Sequence, residues 1–202
     1  MAVAEQELRG APVAREAAPR PQVEIVPVRG LPIVGLIVVA LIVSIAGNWR
    51  WALDFFHVVG GGLWTGIDLF LGLVLGPIIG RMSIPARIEL TTRLMPKLVL
   101  IIPTLVTMTL AAGFQLARLN GFLDSSDPLH PWMVASFAVV GVMATIALAL
   151  LEPANIAVLF ELRKPQPNPE VIGALMKRFV YAAGITGVMQ VATFVIMTRL
   201  AS

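Results

Sequence analysis

Apolar residues fall in long runs along this chain, and short segments between the runs hold most of the charge. A helix needs roughly 20 apolar residues to cross the ~30 Å hydrocarbon core of a bilayer. Five runs approach or exceed that length, at about 31–46, 52–80, 94–116, 131–160 and 172–200. They predict an all-α integral membrane protein with five transmembrane helices. The first run is short and bounded by Asn48 and Trp51, so it reads as a full or a partly interfacial span. The second and fourth exceed the minimum and are expected to tilt, kink or project from the bilayer. Residues 1–30 are rich in Ala, Pro, Glu and Arg, with no spanning run and no apolar core of a secretion signal. They read as a flexible cytoplasmic tail that orders against a partner. The expected organisation is therefore a tail over 1–30 and a transmembrane helical domain over 31–202.

Composition agrees with the pattern. Hydrophobic residues make up 57% of the chain and charged residues 13%, against roughly 45–50% and about 25% in soluble domains. There is no cysteine, which excludes disulfides, cysteine-ligated clusters and covalent c-type haem. The net charge of +3 is small and its basic residues are dispersed, so no nucleic-acid footprint is present.

Lysine and arginine collect on the cytoplasmic side of membrane proteins. With the N-terminus inside, that side holds Arg9, Arg15, Arg20, Arg29, Arg81, Arg87, Arg93, Lys97, Arg163, Lys164, Lys177 and Arg178. The outer side holds Arg50, Arg118 and Arg199. The bias predicts a multi-pass protein of the inner (cytoplasmic) membrane with its C-terminus outside. The expected partners are the lipid bilayer and other membrane subunits.

The segments starting at Leu94 and Leu175 match without gaps at seven of 26 positions, among them Met95/Met176, Met108/Met189 and Arg118/Arg199. Each follows a run with a proline near its inner half, Pro77 and Pro153. This suggests two parallel helical hairpins related by an axis along the membrane normal. The core would then be a four-helix bundle, with the first span an addition.

The stretch "FHVVGGGLWTGIDLF" raises the chemical question. His57, Gly61, Trp64 and Asp68 follow the spacing i, i+4, i+7, i+11 and share one stripe of a helix. Polar side chains inside a membrane face the bundle interior or a wet cavity, so this stripe is expected to face inward. Asp68 would lie about 16 Å deeper than His57, at ~1.5 Å per residue. His57 suits a ligand of haem iron or copper, a proton shuttle, or a plain hydrogen bond between helices. His130 and Met133 begin the fourth run on the same outer side and are the candidate second ligands. Trp64 could wall a pocket, and Gly61 leaves room for a flat cofactor or a neighbouring helix. The four-residue spacings Gly62/Gly66 and Gly72/Gly76/Gly80 read as close helix packing.

Asp68 and Glu152 are the costly residues. A charge at mid-bilayer costs at least ~2.5–3.5 kcal/mol on insertion scales, so each must be paired, hydrated or protonated. Lys177 and Arg178 are candidate partners for Glu152 in an ion pair. A proton path through both carboxyls is the sharper alternative. No hydrolytic triad, phosphate loop or two-histidine metal helix is present in the sequence.

The pattern His-x-x-x-Gly-x-x-Trp-x-Gly, formed by His57, Gly61, Trp64 and Gly66, resembles the first core helix of a group of bacterial membrane proteins. That group includes the copper-resistance D-type domain and relatives of the membrane protoporphyrinogen oxidase. A loop bearing Arg81, Arg87 and Arg93, and "LMKRF" before the last run, are similar too. The resemblance covers roughly 52–200 and implies a four-helix bundle with His57 as a ligand of haem b or copper. The longer polar motif of the oxidase relatives is missing, and so is any expectation of that activity. Three functions follow as expectations: a haem b or copper protein for electron transfer or metal handling, a non-catalytic accessory subunit, and a proton-coupled carrier.

Overall fold

The computed structural model describes residues 23–202. Within them five helices are long and apolar enough to cross a membrane: α1 (Val28–Ala46), α2 (Arg50–Arg81), α3 (Ile84–Leu119), α4 (His130–Leu162) and α5 (Pro169–Ala201). The described residues contain no strand. Most of the expected tail, residues 1–22, lies outside this description. Val23 and Ile25 pack against the larger apolar cluster of the bundle, so the end of the expected tail is already part of the fold.

One boundary differs substantially from the sequence expectation. α3 begins at Ile84, ten residues before the apolar run, with a proline in its first turn. Proline is well placed there because its missing N–H would have no helical partner. The helix then runs through a polar stretch in which Arg93 and Glu89 pair at i, i+4. What reads as an arginine-bearing loop is thus a helical projection carrying Arg87 and Arg93, and only Met82 and Ser83 join α2 to α3.

α2 packs along α3 and against α5, while α4 packs along α5 and, through its second half, against α3. α2 and α4 therefore stand across the bundle from each other, and α1 rests on α3 and α2. Buried apolar residues form two clusters. One gathers around Met95, Leu159, Ile172 and Met176. The other gathers around Leu53, Trp64, Met108 and Met143. Ile67 and Val106 border both clusters.

Two helices widen at matching places. α2 takes a π-helical turn over Phe70–Leu75 and α4 over Ala147–Leu151. Pro77 and Pro153 lie just beyond these turns. A proline cannot donate to the carbonyl a turn below it and its ring crowds that carbonyl. Opening the helix by one residue relieves the conflict. Both widened turns pack against α5.

The helix ends are held by specific contacts. The α1–α2 turn places Asn48 at φ 52°, and the Gln115 amide of α3 donates to its side chain at 2.6 Å. Arg50 donates to the Asn120 side chain and, at 2.7 Å, to the Leu119 carbonyl. A cation at the C-terminal end of α3 also meets the favourable end of its dipole. In the α3–α4 loop, the Ser126 amide and then its hydroxyl donate to Asp124, holding that carboxyl below the usual carboxylate range. Asn168 caps α5 by accepting from the Glu170 amide at 2.9 Å. Asn168→Ala should destabilise the protein by about 1 kcal/mol, whereas Asn168→Asp should keep most of that stability. Denaturant titration in mild detergent checks both.

Candidate functional site

The inward stripe of α2 is present, and its four residues meet different surroundings. His57 lies against α3. Its Nδ1 is 2.9 Å from the Thr109 carbonyl. A carbonyl only accepts, so Nδ1 carries the proton and Nε2 keeps the lone pair in the neutral ring. The ring rests directly on Gly113, where a Cβ would stand 2.5 Å from Nδ1. Gly61 faces α3 as well, with room for a Cβ 3.5 Å from the Thr109 methyl. Trp64 is buried in the cluster with Met108 and Met143.

Asp68 sits deepest in the stripe, 1% exposed. Its Oδ2 accepts from the Thr186 hydroxyl and from the Gln190 amide, each at 2.9 Å, and both donors come from α5. Thr186 has one hydroxyl proton and three acceptors in reach, because the Ala183 and Ala182 carbonyls lie at 2.9 and 3.1 Å. Asp68 pairs with no cation among the described residues. One further polar atom of this layer, Gln190 Oε1, is buried without a hydrogen-bond partner, and the Trp64 indole N–H faces the Asp68 carboxylate. Buried polar atoms are nearly always satisfied, so an orphaned amide oxygen beside a buried carboxyl without a cation singles this layer out.

The sequence distance between the partners is large. Thr186 lies 118 residues from Asp68 and Gln190 lies 122. In the sequence both are single polar positions within the last apolar run. Their spacing of four, on one face of α5, was the available signal.

The helices meet most closely one turn further along. A Cβ on Gly72 would stand 2.3 Å from the Gly184 Cα, and one on Gly76 would stand 2.3 Å from Val180. The expectation of tight packing holds for these two glycines. It fails for Gly62, Gly66 and Gly80, where an added Cβ would meet nothing within 4 Å. Gly62 and Gly66 lie on the outward face of α2, beside exposed Leu63. They are separated from Gly72 by a spacing that rotates them out of its stripe.

The other sequence candidates are dispersed. His130 opens α4, and its Nδ1 lies 3.1 Å from the Phe122 carbonyl, while Met133 is buried one turn further in. Glu152 is half-buried on α4 and forms no ion pair among the described residues. Lys177, its expected partner, instead places Nζ 5.8 Å from the Tyr181 ring centroid, and Arg178 is exposed. The expected pairing fails because Lys177 lines the α2-facing side of α5. The Asn155 Oδ1, one turn from Glu152, is buried without a partner. Among the described residues, no three His, Asp or Glu side chains gather as a metal site.

Compared with protein-family models, with curated proteins and with solved structures, the chain matches none.

Proposed function

We propose that this is a proton-linked membrane protein in which Asp68 takes up and releases the proton. Its five helices cross the inner membrane with the N-terminus inside, as the lysine and arginine bias requires. α2–α5 form a four-helix core of two related hairpins, with α1 added at its side. The paired π turns before Pro77 and Pro153 support that repeat.

One observation carries the reading. Asp68 is 1% exposed, its bonded partners are neutral, and the unsatisfied Gln190 Oε1 lies beside it. An unpaired carboxylate in such a layer is costly, so protonation is the favourable answer. Gln190 can serve both states. Its amide NH2 donates to the carboxylate, and with the amide turned over its carbonyl accepts from the carboxylic acid. The orphaned Oε1 is the half of the amide that the ionised form does not use. Glu152 and Asn155 on α4 offer a second polar step toward the inner face. Infrared spectroscopy of the protein in liposomes tests this. A protonated-carboxyl band that titrates with pH and disappears in Asp68→Asn supports the reading. A pH-independent spectrum sinks it.

A second reading has its own observation. The Nδ1–H of His57 is engaged by a carbonyl, which leaves Nε2 free to ligate and orients the ring. His57 would hold haem b or copper at the outer end of α2, while His130 and Met133, the second ligands expected from the sequence, stand on α4, which does not pack along α2. The bound group would supply one-electron chemistry. For this reading, protein from a haem-sufficient host should show a Soret band that His57→Ala removes. A featureless spectrum without stoichiometric copper excludes it. An accessory role would draw on the open Gly62/Gly66 face of α2, and co-purification of a stoichiometric partner would reveal it.

A further inference from the structure

Beyond the Asp68 layer, a groove of about 850 Å³ opens between the inner half of α2 and the first half of α5. Its floor is made of glycines, Gly72, Gly76 and Gly80 on one side and Gly184 on the other. Val180, Ile185 and Val188 form an apolar wall, and Ile185 and Val188 are 56% and 59% exposed. Along α5 it extends from Gly173 to Met189, or about 24 Å at ~1.5 Å per residue. One leaflet contributes about half of a ~30 Å hydrocarbon core. The groove therefore spans one leaflet and reaches beyond it to headgroup level.

That end is cationic. Arg87 and Lys177 line it, and its lining includes no acidic residue. Neither forms an ion pair among the described residues. The Arg87 Nε is buried without a hydrogen-bond partner, and its Nη2 makes only long 3.4 Å contacts with the Gly80 and Met82 carbonyls. Lys177 is held at the rim over Tyr181. An unmatched guanidinium and an ammonium above a leaflet-deep apolar channel complement one chemistry, an anionic head on an acyl chain.

We infer that this groove is a binding site for an anionic phospholipid of the inner leaflet, with its phosphate on Arg87 and Lys177 and an acyl chain along the glycine floor. The site rests on the membrane reading and is independent of proton chemistry at Asp68. Recovery of the protein from the soluble fraction would overturn the membrane reading itself, whereas the lipid measurements below address the site alone.

Native mass spectrometry of the detergent-purified protein is the test. The probes are phosphatidylglycerol and phosphatidylcholine of identical acyl chains, and water-soluble glycerophosphate. Wild type should retain phosphatidylglycerol at least about 10-fold over phosphatidylcholine. Arg87→Gln with Lys177→Gln should abolish that preference. Gly80→Leu should lower retention of both lipids without lowering the melting temperature, because a side chain there enters the groove and meets no protein atom within 4 Å at its Cβ. Equal retention of the two lipids by wild type would overturn the proposal. So would a preference that survives the double substitution. Competition by glycerophosphate as strong as that by the lipid would assign the cations to a free phosphate and also overturn it.

Discussion

Gly72→Ala is expected to be among the most damaging single substitutions in the chain, lowering stability by about 3 kcal/mol or more, above the usual overpacking range. The methyl group would stand 2.3 Å from the Gly184 Cα and 2.8 Å from its amide nitrogen. These are backbone atoms and no rotamer change can move them. α5 must shift, and it carries Thr186 and Gln190 with it. The damage should therefore extend to the Asp68 layer. The contact is asymmetric, which sharpens the expectation. A Cβ on Gly184 would lie 3.4 Å from the Gly72 Cα, an ordinary contact. Gly184→Ala should be close to neutral. Gly62→Ala meets nothing within 4 Å and should gain the ~0.5–1 kcal/mol that alanine holds over glycine inside a helix. Thermal melts of the three variants in one detergent decide the matter. Equal melting temperatures for Gly72→Ala and Gly184→Ala would show that α2 and α5 do not cross there.

Asp68→Asn should leave the fold intact and remove proton-linked activity, lowering pH-gradient-driven flux in liposomes about 10²-fold or more, the span that single proton-transfer groups contribute. Asparagine keeps an oxygen to accept from Thr186 and Gln190, so the α2–α5 contact survives. It cannot take up the proton. Asp68→Leu separates the two roles further. Thr186 can return its proton to the Ala182 or Ala183 carbonyl, but Gln190 loses its partner. An orphaned buried amide costs about 1–3 kcal/mol, so this variant should be less stable as well as inactive. Unchanged proton flux in Asp68→Asn would make the carboxyl a hydrogen-bonded staple between two helices and nothing more.

The candidate site was half legible in the sequence. The α2 stripe follows from helical period alone, because His57, Gly61, Trp64 and Asp68 are fixed relative to each other within one helix. Their partners were hidden, because Thr186 and Gln190 come from a helix more than a hundred residues away. Glu152 shows the opposite error. Placement on the same side across one short connection suggested Lys177 and Arg178, but the angular position of Lys177 on α5 turns it toward α2. Gly62 and Gly66 carry the same spacing as Gly72 and Gly76, and only the packing of α5 distinguishes the pairs.

The number of long apolar helices is legible in the residue order, because a run of roughly 20 apolar residues is a local property of the chain, whereas the polar start of α3 at Ile84 is not. The residue order also determines which residues share a face of one helix, since that depends only on local geometry. Which helices are neighbours, and how each is rotated, is visible in the folded chain and not in its residue order. Those choices depend on contacts between distant segments: the Gly72–Gly184 backbone approach and the neutral donors that α5 brings to Asp68. On the proposed membrane reading, helices in an apolar solvent gain little from burying apolar surface, so packing and buried hydrogen bonds would set their arrangement.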